Sequence, residues 1–381
     1  MKHNAFKIIS CTIVVLAGCV IVLGAYTRLV DAGLGCPDWP TCYGHLWVPI
    51  TEHDITQATL NYKNTPVDSS KTWPEQLHRI IASCLGLIIF AAFFIAYRLE
   101  NRKELIYLPV LLFSVIISVV AAALSSLPFE YVSIFLLLLY ASAIYWLNTT
   151  TNFSKLLLAL SAVAGLVLLQ GLFGMWTVTL KLWPQVVSAH LLGGFLILAL
   201  SLYCSSLLFV KEKHNNKSSL VYEFWWHLSL TLLLVQISLG AWTSSNYAAL
   251  ACPDFPLCQN KIFPEMDFFQ GFNFLQNIGP NYLGGQLDNF ARTAIHWSHR
   301  LVALLLSGSL IVLCVKLIKQ GNKYTSRLAS ALLALLLTQL GLGISNVLLA
   351  LPLTIAVAHN AVAALLFASY TALYLRRREL N

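Results

Sequence analysis

The sequence PEQLHR, residues 74–79, stands directly before an apolar run from Ile80 to Tyr97. A helix of about 20 apolar residues is long enough to cross a bilayer. Glu75 and His78 are three residues apart, so they share one face of such a helix. Ionisable groups at membrane depth are costly and usually face the protein interior. The stretch therefore predicts a membrane helix whose first turns carry functional side chains.

The composition extends this interpretation to the whole chain. Of its 381 residues, 58% are hydrophobic and only 10% are charged, whereas about 25% of a soluble domain is charged. The net charge of +8 does not indicate nucleic acid, because the basic residues stand at span ends and in short loops and not in one patch. We expect an all-α polytopic membrane protein.

Apolar windows of about 20 residues predict the individual spans. They number about ten, at 6–27, 75–98, 105–125, 128–147, 155–177, 185–209, 224–243, 292–315, 326–348 and 353–375. Only Ser126 and Leu127 separate the third span from the fourth.

The positions of lysine and arginine predict the orientation. They gather on the side that holds both termini, and this side is cytoplasmic by the positive-inside rule. The opposite side holds two long loops with many acidic residues, at about 29–73 and 244–290. The first apolar run has no obvious cleavage site and no Arg/Ser-rich transit peptide before it, so we expect a retained span in a bacterial inner membrane.

The chain also repeats itself. Residues 24–27 and 36–42 match residues 240–243 and 252–258 at a constant offset of 216. Further on, the pair at 78–79 matches 299–300, and Gln170 and His190 match Gln339 and His359. We predict two four-helix bundles related as parallel repeats, residues 1–215 and 216–381. A hairpin at about 105–147 has no counterpart in the second half, and we expect it to be a peripheral insertion.

Four histidines occupy repeat-related positions near the outward ends of predicted spans. They are His78, His190, His299 and His359. A helical bundle can hold a cofactor between side chains on facing helices. Each half offers two histidines, which is too few for a compact metal site but enough for the axial positions of a haem iron. Arg79 and Arg300 are candidate contacts for haem propionates. The alternative is a set of helix–helix hydrogen-bond partners.

The outward loops carry two cysteine pairs, Cys36/Cys42 and Cys252/Cys258. Disulfides form in oxidising compartments, so we expect both pairs to be bonded there. Each is either a structural disulfide that holds its loop together (a staple) or a redox-active pair. We favour a staple for Cys252/Cys258 and leave both readings open for Cys36/Cys42.

Together these motifs resemble the haem A synthase family of cytochrome oxidase biogenesis. The resemblance rests on GAYTRL at 24–29, GCPDWP at 35–40, Glu75 with His78-Arg79, GMWTVT at 174–179, His190, CPDFPLC at 252–258, His299-Arg300 and His359. It covers nearly the whole chain except about 100–150. Family members have eight spans, so the extra hairpin departs from their pattern.

The resemblance implies oxidation of the C8 methyl group of haem O to a formyl group. It implies that His299 and His359 hold a resident haem b, and that His78 and His190 flank the substrate haem. It also implies haem O synthase and oxidase assembly factors as partners, beside the lipid bilayer. Nucleic acid is not expected, and a homo-oligomer is left open.

Glu75 distinguishes the two halves, because the residue three positions before His299 is His296 and not a carboxylate. A carboxylate beside the substrate methyl can take a proton or stabilise a developing cation. We expect Glu75 to be catalytic. The alternative is a structural ion pair with Arg79, one turn on.

Two other functions fit parts of the pattern. A two-haem, b-type electron-transfer protein uses the four histidines but does not account for Glu75. A haem transporter built from parallel repeats would have broken helices at mid-membrane, whereas the histidines lie near the outward ends.

Overall fold

The computed structural model describes residues 2–100, 107–124, 129–150, 154–209, 220–319 and 323–377. These residues form twelve helices and no strand longer than an isolated bridge. The helices are α1 (Lys2–Leu29), α2 (Glu52–Asn61), α3 (Ser69–Glu100), α4 (Tyr107–Leu124), α5 (Phe129–Thr150), α6 (Lys155–Thr179), α7 (Pro184–Phe209), α8 (Leu220–Ser245), α9 (Phe268–Gly271), α10 (Asn289–Lys319), α11 (Lys323–Leu348) and α12 (Leu353–Leu375).

Eight of these helices are long and apolar enough to cross a membrane: α1, α3, α6, α7, α8, α10, α11 and α12. They coincide with eight of the ten predicted spans and confirm the prediction of an all-helical, multi-pass membrane protein. The predicted hairpin is present as α4 and α5. Their described apolar stretches, Pro109–Ser118 and Ile134–Trp146, are shorter than a span. Whether these two helices cross the membrane stays a prediction.

The helices α3 and α10 begin earlier than the hydropathy pattern predicts. The helix α3 starts at Ser69 and not at residue 75, and α10 starts at Asn289 and not at residue 292. They contain 32 and 31 residues, whereas about 20 cross the hydrocarbon layer. Their first turns are therefore long enough to reach the loops that carry the cysteine pairs, and these turns carry Glu75 and His296.

The chain divides into two compact units, residues 1–179 with 193–211 and residues 180–192 with 212–381. The helix α7 contributes its first nine residues to the second unit and the remainder to the first. The predicted boundary between residues 215 and 216 lies outside the described residues, so the two predicted halves stay a prediction.

In the first unit, α3 packs against α1 and α6, and the hairpin α4–α5 packs against α6. Tyr140 of α5 anchors the hairpin, because its buried hydroxyl donates to the carbonyl of Ser161. Phe113 of α4 contacts Phe94 of α3, and the hairpin exposes other large apolar side chains, such as Ile117 and Phe135. Such side chains suit contact with lipid, and the peripheral position expected for the insertion stays a prediction.

In the second unit, α10 packs against α8 and α11, and α11 packs against α12. Tyr370 of α12 is fully buried and donates its hydroxyl to the carbonyl of Trp226 on α8. The contacts α8–α10 and α10–α11 repeat the contacts α1–α3 and α3–α6 of the first unit. The sequence repeat therefore corresponds to a repeated packing scheme within each unit.

Candidate functional site

Each of the two long loops that are predicted to face outward closes on a disulfide bond, as expected for both cysteine pairs. Cys36 is bonded to Cys42, and Cys252 to Cys258. All four cysteines are buried. In the first loop, Ala58 of α2 packs against the Cys36–Cys42 disulfide. A capping box between Thr51 and Asp54 starts α2.

An aspartate shapes the turn inside each disulfide loop. The carboxylate of Asp38 accepts hydrogen bonds from the backbone N–H groups of Tyr43 and Gly44, at 2.6 and 2.8 Å. Asp254 accepts from the N–H groups of Gln259 and Asn260 at the same distances. The backbone N–H of Asn260, followed by that of Gln259, holds the pKa of Asp254 below its usual value.

An arginine from the adjacent long helix clamps each loop. Nη1 of Arg79 donates to the carbonyls of Asp38 and Thr41, both at 2.8 Å. Nη1 of Arg300 donates to the carbonyls of Asp254 and Leu257, at 2.8 and 2.9 Å. Because these nitrogens already bind loop carbonyls, propionate contacts would have to use other nitrogens of the guanidinium groups. Those contacts stay a prediction.

Glu75 is buried between the first loop and its arginine. Its Oε2 accepts from the backbone N–H of Cys36 at 2.8 Å, and its Oε1 accepts from Nη2 of Arg79. The ion pair of the structural alternative is therefore present. One carboxylate satisfies both donors at once, and it joins the disulfide loop to α3.

His296 takes the place of Glu75 in the second unit. Its Nδ1 lies 3.3 Å from the backbone nitrogen of Cys252, and its Nε2 lies 3.1 Å from Nε of Arg300. A neutral imidazole has only one acceptor nitrogen, so it cannot accept both hydrogen bonds together. Arg300 instead holds the loop with a further bond from Nη2 to the carbonyl of Cys252, at 2.7 Å. The two units therefore share one network and differ in its central group.

In the second unit, His299 lies on α10 and His359 lies on α12, and both helices pack against α11. Nε2 of Gln236 lies 3.1 and 3.2 Å from Nδ1 and Nε2 of His299. Nε2 of Gln339 lies 3.3 and 3.1 Å from the same two atoms of His359. Two imidazoles on different helices thus share one region of this unit with two amides.

Glycines make room for these rings. A Cβ atom added at Gly240 would lie 3.3 Å from Cε1 of His299, and one added at Gly343 would lie 3.2 Å from Cε1 of His359. Among the described residues, no group of three or more His, Cys, Asp or Glu side chains is placed to hold a bare metal ion. The two histidines fit a group that binds two imidazole ligands, as a haem iron does.

In the first unit, His78 of α3 packs against Gly24 of α1 as His299 packs against Gly240. A Cβ atom at Gly24 would lie 2.9 Å from Cε1 of His78. His190 lies on the part of α7 that belongs to the second unit. The predicted pairing of His78 with His190 stays a prediction.

Four of these side chains are not among the site residues predicted from the sequence. They are Asp38, Asp254, Gln236 and Gln339. Three of them recur in the repeat, as the pair Asp38 and Asp254 and as Gln339, which matches Gln170. Gln236 carried no such signal, because the residue at offset 216 is Val20.

Comparison with known proteins agrees with this arrangement. The family model COX15-CtaA, described as cytochrome oxidase assembly protein, matches residues 7–122 and 131–371. A relative named Heme A synthase in Shewanella oneidensis is 35% identical, over 91% of this chain and 89% of the relative. Proteins of the same name from Wolbachia pipientis and Nitrosomonas eutropha are 25% and 27% identical. They cover 99% and 95% of this chain and 94% and 90% of their own lengths. With its disulfide loops, paired histidines and multi-pass helices, this chain belongs to the COX15-CtaA family of cytochrome oxidase assembly proteins.

Proposed function

We propose that this protein is a haem A synthase, an oxidoreductase that converts the C8 methyl group of haem O to a formyl group. The relatives named Heme A synthase support this reaction class. The observation that carries the proposal is the exchange of Glu75 for His296 within otherwise matching networks. At this position the first unit has a proton-accepting carboxylate and the second unit has an imidazole, as expected if one unit performs chemistry and the other does not.

In this proposal, His299 and His359 hold a resident haem b, which supplies electron transfer when bound. His78 and His190 flank the substrate haem O. The donors Cys36 N–H and Arg79 fix the direction of the Glu75 carboxylate. Held in this way, Glu75 takes the proton that the methyl group loses as an external electron acceptor removes its electrons, or it stabilises positive charge that develops beside it.

The proposed location is a bacterial inner membrane with both termini in the cytoplasm. The eight span-forming helices support a multi-pass protein, and the relatives named above are bacterial. Haem O synthase would deliver the substrate, and oxidase assembly factors would receive the product. Self-association of this chain is a further proposal.

The test separates the two roles of Glu75. We expect Glu75→Gln to keep an acceptor for Cys36 N–H, and so to keep the loop and the bound haem. Haem A formation should fall by about 10²–10⁴-fold, the usual contribution of general acid–base catalysis. The measurement is chromatography of haems extracted from protein purified from cells that make haem O. His296→Gln is the matched control at the equivalent position and should leave haem A formation within a few fold.

A wild-type yield of haem A from Glu75→Gln would sink the catalytic assignment. The loop-anchoring contacts of Glu75 favour one second candidate, a two-haem electron carrier in which Glu75 is structural. That candidate predicts haem b alone in both sites of the wild-type protein. Haem b together with haem O or haem A supports the synthase.

A further inference from the structure

An aromatic patch lies beside the second disulfide loop, at the start of α10. It consists of Ile262, Phe263, Phe268, Phe269 and Trp297. The rings of Phe263 and Phe268 pack on Trp297, with centroids 5.6 and 6.4 Å from its ring. Yet Phe263 is 71% exposed and Phe269 is 92% exposed. Clustered exposed apolar side chains of this kind mark a contact with a membrane or with another protein.

The aromatic patch continues an exposed apolar face of α10. Leu301, Leu304 and Leu305 follow Trp297 at spacings of four, seven and eight residues, which places all four on one side of the helix. The three leucines are exposed, and α10 is long and apolar enough to cross a membrane. This face therefore suits contact with lipid. Because the patch phenylalanines pack on Trp297, they extend the same apolar surface toward the disulfide loop.

The length of α10 places Trp297 at the edge of the hydrocarbon layer. The apolar part of the helix ends at Lys316. A helix crosses the hydrocarbon layer in about 20 residues, and a count of about 20 back from Lys316 reaches His296, next to Trp297. Tryptophan is enriched at this boundary, because its ring is apolar and its N–H needs a polar partner. Here the N–H donates to the carbonyl of Ile262 at 2.9 Å.

The first unit repeats this feature. Leu46 and Trp47 are the counterparts of the first two patch residues at the offset of 216, and they are 85% and 37% exposed. Gln76 is the counterpart of Trp297 at the offset that relates the two His-Arg pairs, and its Nε2 donates to the carbonyl of Leu46 at 2.8 Å. Both units thus fix the segment after the disulfide to the long helix and leave two apolar side chains exposed. A bilayer is a surface that both sets of membrane helices meet, so it accounts for the recurrence.

We propose that the aromatic patch is a lipid-binding surface in the interfacial layer of the leaflet next to the disulfide loops. Its rings lie between the headgroups and the acyl chains, where amphipathic surfaces are buried by about 5–10 Å. Trp297 also bonds to the segment that follows Cys258. The contact with lipid therefore holds the second disulfide loop at the membrane surface. This placement requires only that α10 spans a membrane, and it is independent of the reaction proposed above.

Site-directed spin labelling in proteoliposomes of phosphatidylcholine and phosphatidylglycerol tests the proposal. The label is attached at Phe269→Cys, in a background in which the exposed free cysteines Cys11, Cys19 and Cys84 are changed to alanine. EPR saturation then compares collisions with oxygen, which concentrates in lipid, and with a nickel chelate, which stays in water. Leu304→Cys is the reference for lipid and Gln57→Cys is the reference for water, since both positions are exposed.

We expect the ratio of oxygen to nickel collisions at Phe269→Cys to exceed that at Gln57→Cys several-fold and to approach that at Leu304→Cys. A ratio equal to that at Gln57→Cys places the patch in water and overturns the proposal. Low collision rates with both reagents also overturn it, because they show contact with a second copy or another protein. Phe263→Cys, also at an exposed position, gives the same comparison if Phe269→Cys does not fold. Neither negative result bears on haem A formation, which is measured separately.

Discussion

At the scale of single residues, the two units differ mainly in the group at the centre of the loop network. Glu75 accepts from Cys36 N–H and from Arg79 together, whereas His296 has one acceptor nitrogen for the corresponding two donors. The carboxylate is thus a stronger anchor for its loop as well as a candidate base. A structural and a catalytic role can belong to the same side chain, and only a variant that keeps one of them separates the two.

The lowered pKa of Asp254 predicts that the second disulfide loop becomes less stable in acid. Its pKa is lowered in the folded protein by the N–H groups of Asn260 and Gln259. The stabilisation is therefore complete above the usual aspartate value of about 3.9 and is lost as the pH falls through the lowered pKa. We expect reduction of Cys252–Cys258 by a phosphine to accelerate below about pH 4. The rate is measured against a small exposed disulfide at each pH.

In the Asp254→Asn variant the same disulfide should be reduced faster at neutral pH, and its rate should follow that of the small disulfide as the pH falls. A wild-type rate that follows the small disulfide throughout would contradict the role given to Asp254.

At the scale of helices, the two long repeat helices carry the groups of the candidate site, whereas the inserted hairpin carries none of the predicted site residues. The helices α3 and α10 extend past the apolar windows and carry the groups that hold the loops. The hairpin packs on α6 through Tyr140, and its other surface is apolar and exposed. It therefore enlarges the first unit beside the helices that carry the repeat motifs.

The contact between α5 and α6 can be tested with two glycines of α6. A Cβ atom at Gly165 would lie 2.9 Å from Cε1 of Tyr140, whereas one at Gly171 has no atom within 4 Å. We expect Gly165→Ala to destabilise the protein by about 1–3 kcal/mol through overpacking. Gly171→Ala, the matched control, should be neutral or stabilising by less than about 1 kcal/mol. Thermal unfolding in detergent measures both, and equal shifts for the two variants would refute the contact.

At the scale of the molecule, the two units share one arrangement of loops and contacts but differ in the side chains that are available for chemistry. Each has a disulfide loop, an aspartate-shaped turn, an arginine clamp and a histidine set against a glycine. The first unit adds Glu75, and the second adds His296 and Gln236. This pattern is what we expect when one copy of a duplicated haem-binding bundle keeps a cofactor and the other handles a substrate.

The proposed orientation predicts opposite accessibility for two exposed positions. Gln57 lies on α2 in the first acidic loop, and Lys323 lies at the start of α11. An impermeant maleimide should label Gln57→Cys in intact spheroplasts, and Lys323→Cys only after permeabilisation. The unmodified protein gives the background from native cysteines. Labelling of Lys323→Cys in intact spheroplasts would reverse the orientation.

Much of this organisation could be predicted from the sequence. Long apolar windows define membrane helices because every backbone group must be paired within the bilayer, and eight predicted spans coincide with helices. Motif spacing also predicted both disulfides and selected the four histidines. Helix starts were less predictable, since α3 gains its first turns from polar residues that no hydropathy window includes.

The roles of individual side chains depended on contacts between distant segments. No local pattern shows that Arg79 and Arg300 bind loop carbonyls, or that Gln236 reaches His299 from another helix. The sequence by itself determined the membrane helices, the repeat and the residue types available for chemistry, because hydrophobicity and motif spacing are local properties. Only the tertiary structure decided which donors meet which acceptors, because that depends on how the helices pack.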